Sequence, residues 1–174
     1  QNSLFGAVVD NAAHVLPAIP AWSPEETLVQ EKSALGLWLS GHPFLNVKKH
    51  ISQFIKADLT SLEPQKESKL IAGVVTKLLP RMTERGKILI VTIDDKEAKV
   101  DVVVGSELLS QCADLIKENN LLIVEGVVSN DKFSGGIRVS ARKLYDLAAA
   151  RSTFASLLKI SCNGQADAAR LREL

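Results

Sequence analysis

The sequence predicts a mixed α and β chain built around a five-stranded barrel, with a small helical segment before it and an αβ tail after it. Three observations carry this expectation. The spacing of apolar residues is helical up to about residue 55 and changes at Lys69 to runs rich in Val, Ile and Leu. From there the order of elements is three strands, a helix and two strands. Among the 174 residues, 46% are hydrophobic and 24% charged, the balance of a folded globular chain, so wholesale disorder is excluded.

In chain order, residues 7–22 hold Gly6 at their edge, several alanines, Pro17 and Pro20 without a sustained period, and read as an extended linker. Ser23 can cap a helix, Pro24 suits its first turn, and Glu26 completes a capping box. Leu28, Leu35, Trp38 and Leu39 are expected to share its apolar face, and Gly41 to end it. Pro43 then opens a second amphipathic helix carrying Val47, Ile51, Phe54 and Ile55, and residues 58–68 read as a polar connection. Strands are expected at 70–79, 88–93, 99–104, 121–128 and 137–144, with Gly73 marking a bend or bulge in the first. Ser106 can cap a helix running to Lys117 between the third and fourth strands. This order is that of an OB-fold, a Greek-key barrel. In the tail, a helix is expected at 151–158, a short strand at 158–162 and another helix from Gln165.

Charge narrows the function classes. The net value is +1, distributed as −2 over residues 1–68, +1 over 69–146 and +2 over 147–174. A binder driven by net charge is excluded, while a locally basic face is not. No apolar run reaches the ~18 residues of a membrane span. Cys112 and Cys162 are the two cysteines, so neither a disulfide framework nor a zinc cluster is expected, and a reducing, cytoplasmic setting fits. The chain begins with Gln1, has no signal peptide, and stops in an uncapped helical pattern at Leu174; it reads as a piece of a longer protein.

Basic residues gather where an OB-fold would bind an oligonucleotide. Arg81, Arg85 and Lys87 flank the turn between the first two strands, and Lys132 and Phe133 lie between the last two. On the fifth strand Arg138, Ser140 and Arg142 alternate with Ile137, Val139 and Ala141, so both arginines are expected to face away from the core. Phe133 and Tyr145 are the two aromatics of residues 69–146, which leaves little base stacking and makes phosphate contacts the main source of affinity. His42 has no ligand at metal-binding spacing and is expected to satisfy backbone groups at helix ends. Asp94 and Asp95 read as a turn-forming pair, and no catalytic residue, metal site or cofactor is expected.

Four stretches carry a resemblance. Residues 1–6, Gln-Asn-Ser-Leu-Phe-Gly, have the Q-x-x-L-F form of a peptide that docks on a sliding clamp. Residues 31–43, Glu-Lys-Ser-Ala-Leu-Gly-Leu-Trp-Leu-Ser-Gly-His-Pro, are similar to an E-K-x-x-L-G-x-aromatic-L-S/T-G-H-P signature. Residues 70–75 with 83–87, and 124–129 with 133–136, look like the first strand and turn and the fourth strand and following loop of one OB domain. Together these resemble the alpha subunits of bacterial DNA polymerase III, the family C replicative polymerases. The resemblance implies a non-catalytic C-terminal part of a DNA-directed DNA polymerase. Its peptide Gln1, Leu4 and Phe5 would bind the clamp (the beta subunit), its OB domain (69–146) would bind single-stranded DNA, and residues 147–174 would begin a domain binding the clamp-loader tau subunit. A departure stands at Val104-Gly105-Ser106, where the family usually carries an aromatic residue followed by a helix starter. A stand-alone OB module, such as a tRNA anticodon-binding domain, and a docking domain for replisome proteins are the alternatives.

Overall fold

The computed structural model describes residues 19–84, 86–131 and 135–156. The chain divides into two compact units, residues 1–40 and 41–174. In the first, α1 (Pro24–Leu35) begins as expected: Ser23 Oγ accepts from Glu26 N at 3.2 Å, and Glu26 Oε2 accepts from Ser23 N at 2.8 Å. It ends earlier than expected. Gly36, at φ 75°, closes it, because the left-handed conformation costs glycine nothing sterically. Residues 37–40 are instead held by Glu31, whose carboxylate accepts from Ser40 Oγ, Ser40 N and Leu39 N, and these bonds hold its pKa down. Leu35 and Leu39 are exposed, so the single apolar face through Trp38 does not form; Trp38 is half-buried, with Lys32 Nζ 4.6 Å from its ring centroid.

The second unit is a closed barrel with strand order β1-β2-β3-β5-β4, formed by β1 (Ser68–Thr83), β2 (Gly86–Asp94), β3 (Lys99–Val104), β4 (Leu121–Asn130) and β5 (Ile137–Tyr145). All pairings are antiparallel except β3 with β5, which closes the ring. The long β1 pairs with β4 through Val74 and with β2 from Val74 onward.

Two bulges set which side chains enter the core. On β1, Ile71 and Val75 point inward; Thr76 is then skipped in the pairing, so Lys77 turns outward and Leu78 inward. On β5, Val139 and Ala141 point inward; Arg142 is skipped, so Lys143 turns outward and Leu144 inward. Each extra residue keeps a lysine out of the core. The bulge on β1 thus lies at Thr76, not at Gly73. Gly73 is where the strands press together: a Cβ there would sit 3.0 Å from Asp94 N and Ile93 Cβ. Gly126, opposite Ala141 at the other bulge, is tighter still, 2.6 Å from Ser140 O.

Residues 58–68 are more than a polar connection. A 3-10 turn, Leu59–Ser61, places Leu59 and Leu62 in the barrel core. Asp95 explains why it sits there: Oδ2 accepts from Leu59 N at 3.1 Å while Oδ1 accepts from Glu97 N and Ala98 N. Asp94 Oδ1 accepts from Lys96 N at 2.7 Å, so the acidic pair builds the β2–β3 turn as expected. The same turn anchors α2 (Pro43–Ile51). His42 caps that helix, Nδ1 accepting from Phe44 N at 3.3 Å, and its Nε2 lies 3.5 Å from Asp94 Oδ1. Burial pushes the His42 pKa down and outweighs the attraction of Asp94 and Asp95.

α3 is shorter than expected, Ser106–Cys112, and passes into a 3-10 turn, Ala113–Leu115. α4 runs over Leu147–Phe154 rather than 151–158, because the Asp146 carboxylate caps it through Ala149 N at 2.7 Å. The strand expected at 158–162 and the helix from Gln165 lie outside the described residues. α2 and α4 lie over the outer side of β1 and β4, where Ala72 and Ile123 are buried. Phe154 joins this layer together, with Tyr145 edge-on at 5.3 Å and Phe54 stacked at 6.2 Å.

Candidate nucleic-acid interface

Away from α2 and α4, the outward side chains of β1, β2 and β3 are half-buried or exposed among the described residues. Since side chains alternate and paired residues share a face, the register places Lys77, Leu79 and Arg81 on one surface with Thr92, Ile90 and Ile88 of β2. The surface continues through Asp101 and Val103 of β3 to Arg138 and Ser140 of β5. Leu79, Ile88, Ile90 and Val103 are half-buried and form an aliphatic strip. A polar row runs beside it, in which Thr92 Oγ1 donates to Asp101 Oδ1 at 2.7 Å.

The candidate residues are distributed unevenly around this surface. Arg81 and Lys87 are exposed on the β1–β2 ribbon, which continues past the last β2–β3 pair, Leu89 with Val104. They point to opposite faces of it: Arg81 shares the open face with Ile88, and Lys87 shares the other with Met82. Arg142, at the β5 bulge, is exposed and lines a shallow depression with Gly105, Glu107 and Gln111 at the start of α3. The Gly86 end of the ribbon approaches Ser106, so Lys87 and Arg142 occupy the same end of the barrel. Arg138 lies toward the other end. It does not extend freely into solvent as expected: it is half-buried and paired at 3.7 Å with Asp131, the residue that follows β4. Arg85, Lys132 and Phe133, and the peptide Gln1, Leu4 and Phe5, lie outside the described residues.

Sequence reasoning missed Lys77, Lys143 and the aliphatic strip. Both lysines owe their outward direction to bulges, which leave no mark in apolar periodicity. The strip was readable in principle once Thr83 and Gly86 are paired across the turn, because that register fixes the faces from Lys77 to Thr83 on β1 and from Gly86 to Thr92 on β2. Among the described residues, no group of three or more His, Cys, Asp or Glu side chains is placed to hold a metal ion, and no helix is long and apolar enough to cross a membrane.

Comparisons with known proteins agree with this geometry. Residues 70–147 match a family model described as an OB-fold nucleic acid binding domain. Over its full length the chain is 36% identical to DNA polymerase III subunit alpha of Neisseria meningitidis serogroup A, covering 15% of that protein. The chain is a relative of a segment of DNA polymerase III subunit alpha. The Vibrio cholerae alpha subunit is 34% identical over 92% of this chain, and that of Escherichia coli K12 is 32% identical over 92%, each match covering 14% of the relative. The chain therefore spans about one-seventh of the length of these alpha subunits. The part matched by the family model is a binding domain, and it coincides with the barrel. In backbone, the second OB-fold domain of replication protein A from Methanococcus maripaludis aligns with 59% of this chain and 98% of its own, at 17% identity and a TM-score of 0.42.

Proposed function

We propose that this chain is a non-catalytic part of a bacterial replicative DNA polymerase that holds single-stranded DNA on the open face of its barrel. The observation that carries the reading is the contrast around one sheet: helices cover the outer side of β1 and β4, while among the described residues the side formed by the ends of β1, β2 and β3 keeps half-exposed aliphatic side chains bordered by cations. Kinship to the alpha subunits supports a role in replication, and the OB family supports nucleic acid as ligand. Lys77, Arg81, Lys87, Arg142 and Lys143 are exposed cations available to phosphates. We divide the roles along the chain as 1–68, 69–146 and 147–174. In this reading Gln1, Leu4 and Phe5 dock on the sliding clamp, with the two apolar side chains in a pocket and the amide at its rim. Tethering to a ring raises the local concentration of the polymerase at the primer end. Residues 147–174 begin the region that engages the tau subunit, and the setting is the bacterial cytoplasm.

Anisotropy of a labelled oligonucleotide at several salt concentrations tests the DNA part. With about two to four phosphate contacts, log K should fall against log salt with a slope of about −1.4 to −2.8. Salt-independent binding would remove it. For the clamp part, Leu4→Ala with Phe5→Ala should cost about 2 kcal/mol or more of clamp affinity; an unchanged affinity would refute that docking. A second reading, the barrel as a protein-docking surface, is favoured by the aliphatic strip of Leu79, Ile88, Ile90 and Val103, and it predicts no measurable oligonucleotide binding.

A further inference from the structure

We propose that Asp101, on the open face of β3, reads the bases of the bound strand and selects guanine through the two N–H donors of its Watson–Crick edge. This rests on the nucleic-acid reading above and adds base selection to it. The strand pairing sets Lys77, Thr92, Asp101 and Arg138 in one row across β1, β2, β3 and β5, each the direct partner of the next. Among the described residues of that surface Asp101 is the one acid, and it is exposed. A carboxylate set between cations repels the phosphates that those cations attract. A strand crossing this row therefore gains from Asp101 only where it brings N–H donors to it.

The surroundings hold the carboxylate in place for such a ligand. Thr92 Oγ1 donates to Asp101 Oδ1 at 2.7 Å, and Thr92 is itself tied to β1, its backbone oxygen accepting from Thr76 Oγ1 at 3.2 Å. Arg138, directly opposite Asp101 in the β3–β5 pair, turns to Asp131 instead. Asp101 Oδ2 is thus left without a hydrogen-bond donor among the described residues. The half-buried Ile90 and Val103, the next outward residues along β2 and β3, give a base an apolar surface beside it. In a single strand the Watson–Crick edges are accessible. Guanine presents N1–H and N2–H side by side there, which suits the two oxygens of a carboxylate. Adenine and cytosine offer one amino group beside an unprotonated ring nitrogen, and thymine flanks its one N–H with two carbonyls. Each of these sets an acceptor against the carboxylate, and selection comes from that repulsion as much as from the guanine contact.

The test is fluorescence anisotropy with the full chain and labelled single strands of equal length: all thymine, or thymine alternating with guanine, hypoxanthine or cytosine. Hypoxanthine keeps the N1–H of guanine and lacks its amino group. The wild-type chain should bind the guanine strand at least about fivefold more tightly than the thymine strand, the low end of what a bidentate contact contributes. The hypoxanthine and cytosine strands should stay within about twofold of thymine. Asp101→Asn retains an acceptor for Thr92 Oγ1, so the β2–β3 pair is kept; it should lose the guanine preference and bind the thymine strand more tightly than the wild type does. Equal binding of the guanine and thymine strands by the wild type, or an unchanged preference in Asp101→Asn, would overturn the base reader and leave the single-strand reading standing. A chain that binds none of the strands overturns both.

Discussion

On the outer side of β1 and β4, Ala72 and Ile123 are buried under α2 and α4, whereas on the outer side of β1, β2 and β3 the aliphatic Leu79, Ile88, Ile90 and Val103 remain half-exposed. The two faces belong to the same sheet and draw on the same residue types. What separates them is the segment preceding β1: Phe44, Ile51 and Ile55 supply apolar cover, and the β2–β3 turn locks that cover in place through Asp95 with Leu59 N and His42 with Asp94. Nothing among the described residues of the barrel unit performs that service for the second face, which is bordered instead by Lys77 and Arg81. One face is therefore completed by folding, and among the described residues the other keeps half-exposed side chains, as the proposed ligand face would.

That contrast breaks first where the covered face is emptied. Ile123→Ala, at a fully buried position, should cost about 3 kcal/mol, while Ile90→Ala on the open face should cost about 1 kcal/mol, both read from urea unfolding. Equal losses would mean that the open face is packed as tightly as the other. Asp95→Ala removes the acceptor of three backbone N–H groups and should cost about 2 kcal/mol, with Leu59 and its turn freed from the barrel end as seen by hydrogen exchange.

A smaller effect sharpens the role of His42. Its pKa is lowered by burial, so the folded chain favours the neutral ring. The stability it contributes is complete above the unfolded value of about 6.5 and is lost as pH falls through the lower folded value. Comparing urea midpoints at neutral pH and below pH 6, His42→Gln should show a weaker decline than the wild type. A parallel decline would show that His42 is not a source of the pH dependence. The smallest stability effect belongs to the exposed cations of the β1–β2 ribbon. Arg81→Ala with Lys87→Ala should change stability by less than about 0.5 kcal/mol, because both residues are exposed, yet should reduce oligonucleotide affinity and make the salt slope shallower.

Much of the barrel was legible in the sequence because its strands are short apolar runs separated by turn residues, and β3 was read to its ends at Lys99 and Val104. The helical part was harder. Gly41 looked like the stop of α1, but Gly36 ends it, and the apolar residues after Gly36 continued the helical spacing by coincidence. Leu59 and Leu62 were hidden in a polar stretch, since their burial depends on a hydrogen bond to Asp95, 36 positions away. For the candidate site, Arg81, Lys87 and Arg142 were found as exposed cations, but the pairing of Arg138 with Asp131 was not, because it depends on the β4–β5 register that sets Asn130 opposite Ile137. The bulges at Thr76 and Arg142 decide the direction of two lysines and follow from the strand pairing alone.

The claim that the open face is the ligand face is tested most directly by backbone amide chemical shifts during titration with a single-stranded oligonucleotide. The account predicts shifts concentrated at residues 77–83 of β1, 86–90 of β2 and 101–103 of β3, with α2, α4 and the amide of Ile123 unmoved. Shifts concentrated on the helical cover, or none at saturating oligonucleotide, would contradict it.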